Sequence, residues 1–331
     1  MPIKKIAVIG VGGRTGTMFA QELSRAGKVI GISREKEVKL IKQKKLYIKK
    51  QGGREELFKT EVIQDFEFPA ESLPDIIFLT TKNPVAPVIK YYYQKIKNYQ
   101  KLPVLALSQN GIVAADDALN TLKEIFGDKV EKIQIIRISL FNPIDREEKE
   151  NKTYIKYSLP IRIAFSKVSG QNNLKEISDL FKKAGFEAEK LPFEQRKNME
   201  LSKLFLNLIG MASASRGLSV EEGFKNLESF KEEIFSLREF IKVVRVKNQN
   251  FINFSHYPVK LLASLIYYLP IGFLSFFRNQ LARIINKGRK RKAKDLDEIN
   301  YYNGAVIKLG KNLGVPTPIN QEILKRAKSR G

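Results

Sequence analysis

The sequence predicts an α/β fold in two parts, a doubly wound parallel sheet followed by an all-helical C-terminal domain. Over the first half of the chain, apolar segments typical of buried strands alternate with helical segments, which is the pattern of a parallel sheet. A glycine-rich segment joins the first strand to the first helix, and beyond about residue 195 only helical patterns follow. We therefore place the sheet domain at residues 1–194 and the helical domain at 195–331.

The predicted elements of the sheet domain alternate regularly along the chain. The first strand covers residues 3–10, and the first helix covers 15–26 and ends at Gly27. Further strands are predicted at 28–33, 75–81, 103–108, 132–140 and 157–165, with a lysine-rich helical stretch after the second strand, helices near 85–98 and 115–126, and a last helix and strand within 172–192.

Composition limits the chemistry that the protein can perform. The 331 residues include no cysteine and one histidine, His256, so disulfides and thiolates are excluded and we expect no metal site. The formal net charge of +24 favours anionic ligands, but the lysines are spread along the whole chain and no nucleic-acid-binding module is recognisable. We predict no specific nucleic acid partner. Because "MPIKKIAVIG" leads directly into a strand, we expect a cytoplasmic protein.

The segment "IAVIGVGGRTGTMFAQEL", residues 6–23, has the strand, glycine turn and helix of a dinucleotide-binding loop. Gly10 and Gly12 fit the pattern G-x-G-x-x-G, but the third glycine comes one position late, at Gly16. Gly10, Gly13 and Gly16 instead fit G-x-x-G-x-x-G. Three interpretations are therefore open. The segment is a phosphate-binding loop with one inserted residue, a loop of the spacing G-x-x-G-x-x-G, or only a tight turn. Its position favours a pyrophosphate at the helix N-terminus of a Rossmann-type domain.

The end of the second predicted strand bears on the choice of cofactor. NAD-binding loops of this kind usually carry a carboxylate there, which binds the ribose hydroxyls. Here the strand ends in Ser33 and Arg34, a hydroxyl and a guanidinium that suit a 2′-phosphate. The sequence therefore predicts NADP, in its reduced form NADPH, as the cofactor.

Two helical segments of the second domain place polar residues among apolar ones. In "NMELSKLFLNLIGMASASRG", Glu200, Lys203 and Asn207 share one helix face, where the lysine either lines a cavity or extends to solvent. In "DLDEINYYNGAVIKLGKNLGVPTPIN", Glu298 leads a helix, where a carboxylate can also serve only to compensate the helix dipole. Gly304 in that helix predicts the close approach of another backbone.

These motifs, in this order, resemble the ketopantoate reductase (2-dehydropantoate 2-reductase) family. The family's Lys-x-x-x-Asn helix corresponds to "KLFLN", which implies that Lys203 is the catalytic lysine and that Asn207 binds substrate. "DEINYYNG" implies a substrate-side role for Glu298, and "GVPTPIN" matches the family's closing motif almost letter for letter. "TTK" and "SQNG" place Lys82 and Asn110 at positions where the family binds cofactor and substrate.

The chain also departs from the family pattern. The family's second asparagine falls on Met211, and its substrate-side serine, twelve residues before the glutamate, falls on Asn286. No Gly-His segment occurs in "NPIDREEKENKTYIKYS", and the glycine loop carries one extra residue. These departures leave cofactor binding and hydride chemistry in place, but they leave the identity of the substrate open.

The resemblance implies a NADPH-dependent reductase of a small anionic 2-oxo acid, such as ketopantoate in pantothenate biosynthesis. Since the chain lacks cysteine and His256 lies outside these motifs, we expect Lys203 to be the general acid, with Glu298 holding either the lysine or a substrate hydroxyl. The alternatives are an oxidoreductase of this fold with another substrate, and a NADP-binding or membrane-surface protein without turnover.

An apolar segment followed by a basic one occurs within the helical domain. Residues 261–277, "LLASLIYYLPIGFLSFF", carry no charge, and residues 278–294 carry eight Lys or Arg and no acid. The apolar run is shorter than the ~20 residues of a membrane-spanning helix, and Pro270 interrupts it. We favour burial of this segment, or a homodimer interface through the helical domain. Peripheral membrane contact is the alternative.

Overall fold

The computed structural model describes residues 3–64, 73–170, 174–286 and 293–330 of the chain. The chain divides into two compact units. The sheet unit comprises Met1–Gln109 and Val113–Arg196, and the helical unit comprises Asn110–Ile112 and Lys197–Gly331. The short segment Asn110–Ile112 therefore belongs to the helical unit, although it follows a strand of the sheet. A single boundary between residues 194 and 195 would assign this segment to the sheet unit.

The regular elements are numbered along the chain. The strands are β1 (Lys5–Ile9), β2 (Lys28–Ile32), β3 (Leu46–Lys50), β4 (Glu55–Leu57), β5 (Glu61–Ile63), β6 (Ile76–Leu79), β7 (Val104–Leu107), β8 (Ile135–Leu140), β9 (Asp145–Lys149), β10 (Lys152–Tyr157), β11 (Ile161–Ser169) and β12 (Phe186–Lys190). The helices are α1 (Arg14–Leu23), α2 (Glu35–Lys42), α3 (Ala86–Lys95), α4 (Ala114–Phe126), α5 (Lys175–Lys183), α6 (Arg196–Leu208), α7 (Met211–Ser215), α8 (Val220–Lys225), α9 (Leu227–Val246), α10 (Val259–Tyr268), α11 (Ile271–Phe276), α12 (Arg278–Asn286), α13 (Asn303–Asn312) and α14 (Pro318–Lys328).

The larger sheet, counted over the described ranges, has eight strands in the order β12-β11-β8-β7-β6-β1-β2-β5. From β5 to β8 all neighbouring strands run parallel, and this part has the strand order of a dinucleotide-binding fold. At the far edge, β11 runs antiparallel to β8 and parallel to β12. The predicted α/β fold, a Rossmann-type doubly wound sheet plus an all-helical C-terminal domain, is confirmed.

Apolar side chains cover both faces of this sheet, which explains why its strands were recognisable as continuous apolar runs. One cluster includes Phe19 of α1 and Phe181 of α5, and the other includes Tyr93 of α3 and Leu122 of α4. The helices are therefore the two outer layers of the sheet unit, and the loops after the strands are left to bind ligands.

A second, smaller sheet of order β4-β3-β10-β9 was missed in the sequence. It is tied to α1 by Glu22, whose carboxylate accepts a hydrogen bond from Tyr157 (2.6 Å) and pairs with Lys50 (3.2 Å). Burial, strengthened by the hydrogen bond to Glu22, raises the pKa of Tyr157. The strand predicted at 157–165 is present as β11, but it begins at Ile161, and Tyr157 ends the separate strand β10. The many charges of β9 and its hairpin hid the strand signal.

In the helical unit, the predicted helix of "NMELSKLFLNLIGMASASRG" is broken at Gly210. This glycine has φ +92° and separates α6 from α7, while the buried carboxylate of Glu233 accepts the N–H groups of Gly210 (2.6 Å) and Ala212 (3.1 Å). The expectation of close backbone approach at Gly304 was also wrong, because a Cβ there would meet nothing nearer than 3.7 Å. Gly310 has that role, with the carbonyl oxygen of Val315 at 2.7 Å.

Candidate cofactor and substrate sites

The glycine loop uses its glycines for three different purposes. Gly10 and Gly12 have φ values of +101° and +92°, which glycine adopts without strain. Gly13 is the N-cap of α1 and is exposed, and a Cβ on Gly16 would lie 2.3 Å from the carbonyl oxygen of Gly10. Gly16 thus permits close packing of the helix on the strand end. The loop conformation requires glycine at Gly10, Gly12 and Gly16, while Gly13 has an ordinary φ of −75°.

The start of α1 fits a bound pyrophosphate. No side chain caps the helix at Gly13, and its first turn contains no acidic residue. The N-terminal amides and the positive end of the helix dipole suit an anion, and the absence of a side chain at Gly13 lets a phosphate approach the backbone.

Gly12 lies against another side chain instead. A Cβ on Gly12 would meet the side chain of Glu37 at 2.7 Å, and Arg146 donates a hydrogen bond to the Gly12 carbonyl at 2.6 Å. Sequence reasoning missed Glu37, which is only 5% exposed and lies in the first turn of α2. Its Oε1 is 3.5 Å from Arg146, whereas its buried Oε2 has no hydrogen-bond partner within the described residues. Its place three residues after Arg34 is the signal that could have identified it.

The predicted ligands of the 2′-phosphate differ in availability. Arg34 is exposed, with a guanidinium nitrogen 3.9 Å from Glu37 Oε1. Ser33 is used by the loop itself, since its hydroxyl donates to the carbonyl of Val11. Lys82 lies exposed just after β6. Of the two residues predicted at this strand end, the arginine is the one presented to solvent.

A buried arginine that was not predicted holds the strand ends of the sheet unit. Arg137 of β8 is 2% exposed and donates to the carbonyl oxygens of Leu107, Ile138 and Gln109. The Gln109 side chain donates in turn to the carbonyls of Leu79 and Thr81 at 2.9 and 3.0 Å. Arg137 therefore fixes the peptide that precedes Asn110. A single charge within the apolar run "QIIRISL" is the signal that could have revealed it.

Three of the predicted substrate-side residues meet in the helical unit. Asn110 donates from Nδ2 to Glu298 Oε2 at 2.9 Å, and its Oδ1 accepts a hydrogen bond from Asn207 Nδ2 at 3.2 Å. Tyr302 donates to the same Glu298 oxygen at 3.1 Å. Both of these hydrogen bonds end on Oε2, and within the described part of the chain no hydrogen bond ends on Oε1. We call Asn110, Asn207 and Glu298 the amide–carboxylate cluster.

The other predicted site residues of the helical unit are Lys203 and Asn286. Lys203 lies one turn before Asn207 on α6 and is half-buried. Lys294, which was not predicted, donates to the main-chain carbonyl of Asn207 at 2.8 Å and so ties the segment before Glu298 to the end of α6. Asn286 is the last residue of α12, and its side chain lies outside the described residues.

Comparison with protein families bears directly on these sites. Residues 6–135 match the model of the family described as ketopantoate reductase PanE/ApbA. The predicted family resemblance is confirmed. The matched residues contain the glycine loop, Arg34, Lys82 and Asn110, and they exclude Lys203 and Glu298. No match to the chain was found among curated protein sequences.

Solved structures resemble the chain over nearly its whole length. A ternary structure of D-mandelate dehydrogenase with NADH and anilino(oxo)acetate has 20% identity over 98% of this chain and 97% of that chain, with a TM-score of 0.70. A PanE/ApbA family ketopantoate reductase from Ralstonia eutropha JMP134 has 17% identity, with coverages of 98% and 97% and a TM-score of 0.71. A 2-dehydropantoate 2-reductase from Geobacter metallireducens GS-15 has 18% identity, with coverages of 99% and 100% and a TM-score of 0.67. The chain therefore has the fold of these proteins.

One departure from the ketopantoate reductase pattern has a structural consequence. Met211, at the position of the family's second asparagine, is 1% exposed and begins α7 directly after Gly210. A buried thioether neither donates nor accepts a strong hydrogen bond. Met211 therefore does not supply the hydrogen bonds that an asparagine amide could make at this position.

Proposed function

We propose that the protein is a NADPH-dependent reductase of a small 2-oxo acid, of the 2-dehydropantoate 2-reductase type. The amide–carboxylate cluster carries the proposal. Asn110 is 97 positions from Asn207 and 188 from Glu298, yet it hydrogen-bonds to both side chains. These are the residues that the motifs assign to the substrate, and the glycine loop supplies a fitting place for a dinucleotide.

The cofactor, when bound, supplies the hydride. Gly10, Gly13 and Gly16 let its pyrophosphate approach the start of α1, where main-chain N–H groups and the helix dipole stabilise negative charge. Arg34, as an exposed guanidinium, binds the 2′-phosphate through charge-assisted hydrogen bonds.

Reduction of a ketone also requires a proton, because negative charge develops on the carbonyl oxygen. Lys203 is the residue that we assign to this step: its ammonium stabilises the developing charge and then donates the proton from Nζ. Asn207, four residues further along α6, lies on the same helix face. Its Nδ2 is used by Asn110, while its Oδ1 has no protein partner within the described ranges and can orient the ammonium or the substrate.

The substrate is selected by charge and by hydrogen bonding. Lys82 attracts the substrate carboxylate or a cofactor phosphate, and the net charge of +24 also favours anions. Glu298 Oε1 accepts a substrate hydroxyl, because Oε2 already holds Asn110 and Tyr302. A small, anionic 2-oxo acid with a hydroxyl group meets both requirements.

Met211 favours a second candidate, a reductase of the same fold for a 2-oxo acid with a less polar side chain. One of the similar structures, D-mandelate dehydrogenase, was solved with anilino(oxo)acetate, a 2-oxo acid with an aromatic substituent. A less polar substrate does not need the amide that Met211 replaces.

Both candidates are tested by one assay. The purified full-length chain is mixed with NADPH or NADH and a panel of 2-oxo acids that runs from ketopantoate to aromatic ones, and oxidation of the reduced cofactor is followed by absorbance. Turnover of ketopantoate supports the first candidate, and turnover only of aromatic 2-oxo acids supports the second. Tight NADPH binding without turnover of any member contradicts both and favours a non-catalytic NADP-binding protein.

A further inference from the structure

Six large apolar side chains of the helical unit lie exposed on α10, on α11 and at the residue directly after α11. Their exposed fractions range from 38% to 74%. We call this set of exposed side chains the aromatic face; it consists of Leu261, Leu265, Tyr268, Phe273, Phe276 and Phe277.

The spacing along α10 shows that this exposure is organised. Leu261, Leu265 and Tyr268 follow each other at intervals of four and three residues, so they form one stripe of the helix. The buried residues Val259, Ala263 and Ile266 form another stripe, which packs into the unit. Single exposed apolar residues are ordinary on protein surfaces, but a helix with two apolar stripes has one that the core does not use.

Two arginines of α9 hold the end of α10, which carries part of the aromatic face. Arg238 donates from Nε to the carbonyl oxygen of Ile266 at 2.9 Å and also bonds the carbonyl of Leu269, which fixes the end of α10. The guanidinium of Arg245 lies over the rings of Tyr267 and Tyr268, at 4.4 and 5.1 Å from their centroids. These contacts hold α10, with its exposed stripe, against α9.

Basic residues are concentrated in this part of the sequence. Residues 240–294 contain twelve Lys or Arg and no Asp or Glu. Three of these cations adjoin the face: Arg245 stacks on Tyr268, exposed Lys260 precedes Leu261, and Arg278 follows Phe277.

This charge pattern discriminates between two occupants of the aromatic face. In a two-fold dimer the same surface of both copies meets itself, so each cation would face cations of the other copy. In an anionic bilayer, by contrast, the cations would contact negative headgroups and the aromatic rings would be buried at the boundary of the acyl chains. The helices are too short to span: no helix in the described ranges is long and apolar enough to cross a membrane, and α10 and α11 have ten and six residues.

We propose that the aromatic face binds the surface of an anionic phospholipid bilayer, with the rings of α10 and α11 inserted at headgroup depth and Arg245, Lys260 and Arg278 contacting lipid phosphates. This proposal is independent of the enzymatic activity proposed above. From the sequence alone we favoured burial or a dimer interface for residues 261–277, with membrane contact as the alternative. The exposure of these side chains now favours membrane contact.

The absence of tryptophan from the chain allows a direct test. The full-length Phe276→Trp variant carries a single tryptophan, and its emission should shift to shorter wavelength with vesicles of phosphatidylcholine and phosphatidylserine. Vesicles of phosphatidylcholine alone should give little shift, and added salt should reverse the effect. The matched control is Phe193→Trp, at a position of the sheet unit that is 51% exposed, and it should not respond.

A second measurement uses loss of binding. Replacement of both Phe273 and Phe276 by serine should weaken co-sedimentation with anionic vesicles at least about tenfold, because two buried aromatic side chains are lost from the interface. Phe193→Ser is the control, and thermal unfolding shows whether each variant is folded. Binding that is unchanged in a folded double variant overturns the proposal. So does a Phe276→Trp shift that follows protein concentration without vesicles, since it would assign the aromatic face to a dimer.

Discussion

Asn110 Nδ2 lies 2.9 Å from Glu298 Oε2, although 188 positions separate the two residues in the sequence. The amide of Asn110 also accepts a hydrogen bond from Asn207, so one side chain links α6 to the C-terminal segment within the helical unit. Asn110 therefore orients the carboxylate of Glu298 and the amide of Asn207 together, and removal of one member should disturb the others.

We predict that Asn110 and Glu298 are energetically coupled. Asn110→Ala and Glu298→Gln should each lower kcat/KM for the preferred 2-oxo acid, and the double variant should lose less than the sum. Coupling energies of about 0.5–3 kcal/mol are usual for side chains within one hydrogen-bond network. Asn300→Ala, at an exposed position two residues after Glu298, is the control and should be neutral. Strictly additive effects would show that the pair does not act as a unit.

Lys203 should be the main source of rate acceleration by proton transfer. Lys203→Ala is expected to lower kcat by about 10²–10⁴, the usual contribution of a general acid, while NADPH affinity and unfolding temperature stay unchanged. Lys197→Ala, an exposed lysine six residues earlier on α6, should retain normal kcat. If the Lys203 variant turns over normally, another group donates the proton.

Gly13 offers a sharper test of the phosphate-binding loop than Gly12. A side chain at Gly12 would clash with Glu37 and adopt a strained φ of +92°, so it would disturb the fold with or without a cofactor site. Gly13 has an ordinary φ of −75°, and a Cβ there would meet only the carbonyl oxygen of Gly10, at 3.1 Å.

Gly13→Val should therefore fold and yet bind NADPH about tenfold to a hundredfold more weakly, since hydrogen bonds to a charged phosphate are worth ~1.5–3 kcal/mol. Fluorescence titration with NADPH measures the affinity, and thermal unfolding checks the fold. Undiminished affinity in a folded variant would mean that the loop is only a turn.

Arg34 should set the preference for NADPH over NADH. Arg34→Ala is expected to weaken NADPH binding by about tenfold to a hundredfold through loss of charge-assisted hydrogen bonds to the 2′-phosphate, and to spare NADH. Lys36→Ala, two residues further on and also exposed, should change neither affinity. Equal loss for both cofactors would show that Arg34 serves the structure of the loop, through its contact with Glu37.

The parts of the molecule that the sequence predicted correctly are those with strong periodicity or fixed spacing. Strands such as β6 and β7 are buried on both faces and appear as unbroken apolar runs, and the glycine loop has a spacing that its packing requires. The smaller sheet was missed, because β9 and β10 carry many charges and pair across a short hairpin. A local sequence pattern does not reveal such pairings, because they depend on contacts with a distant element. Here that element is α1, whose Glu22 hydrogen-bonds to Tyr157.

The same limit applies to the sites. Lys203, Asn207 and Glu298 were selected by motif, but the hydrogen bond between Asn110 and Glu298 joins segments far apart in the chain. The sequence did not identify Glu37, because a glutamate in the first turn of a helix usually only compensates the helix dipole. Only the space beside Gly12, which Glu37 fills, shows its importance.

Glu233 should make the stability of the protein depend on pH in a direction opposite to that of most carboxylates. Its side chain is fully buried, and this burial raises the pKa of the carboxyl from 4.5 to about 7, although hydrogen bonds from Gly210, Ser213 and Ala212 and the charge of Lys294 act against the shift. Since the pKa is higher in the folded than in the unfolded chain, folding favours the protonated acid. The stabilisation is complete below about pH 4.5 and is lost as the pH rises to about 7 and beyond.

Glu233→Gln removes the titrating group and keeps its size. Relative to the wild type, the free energy of unfolding of this variant should therefore rise by about 1–3 kcal/mol as the pH increases from ~5 to ~8, since one pKa unit corresponds to about 1.4 kcal/mol. Urea unfolding across this pH range measures the difference, and groups that titrate in both proteins cancel. Glu228→Gln, an exposed position on the same helix, should show a constant difference from the wild type. A constant difference for Glu233→Gln as well would mean that Glu233 is charged throughout, held by Lys294 and the helix amides rather than by a proton.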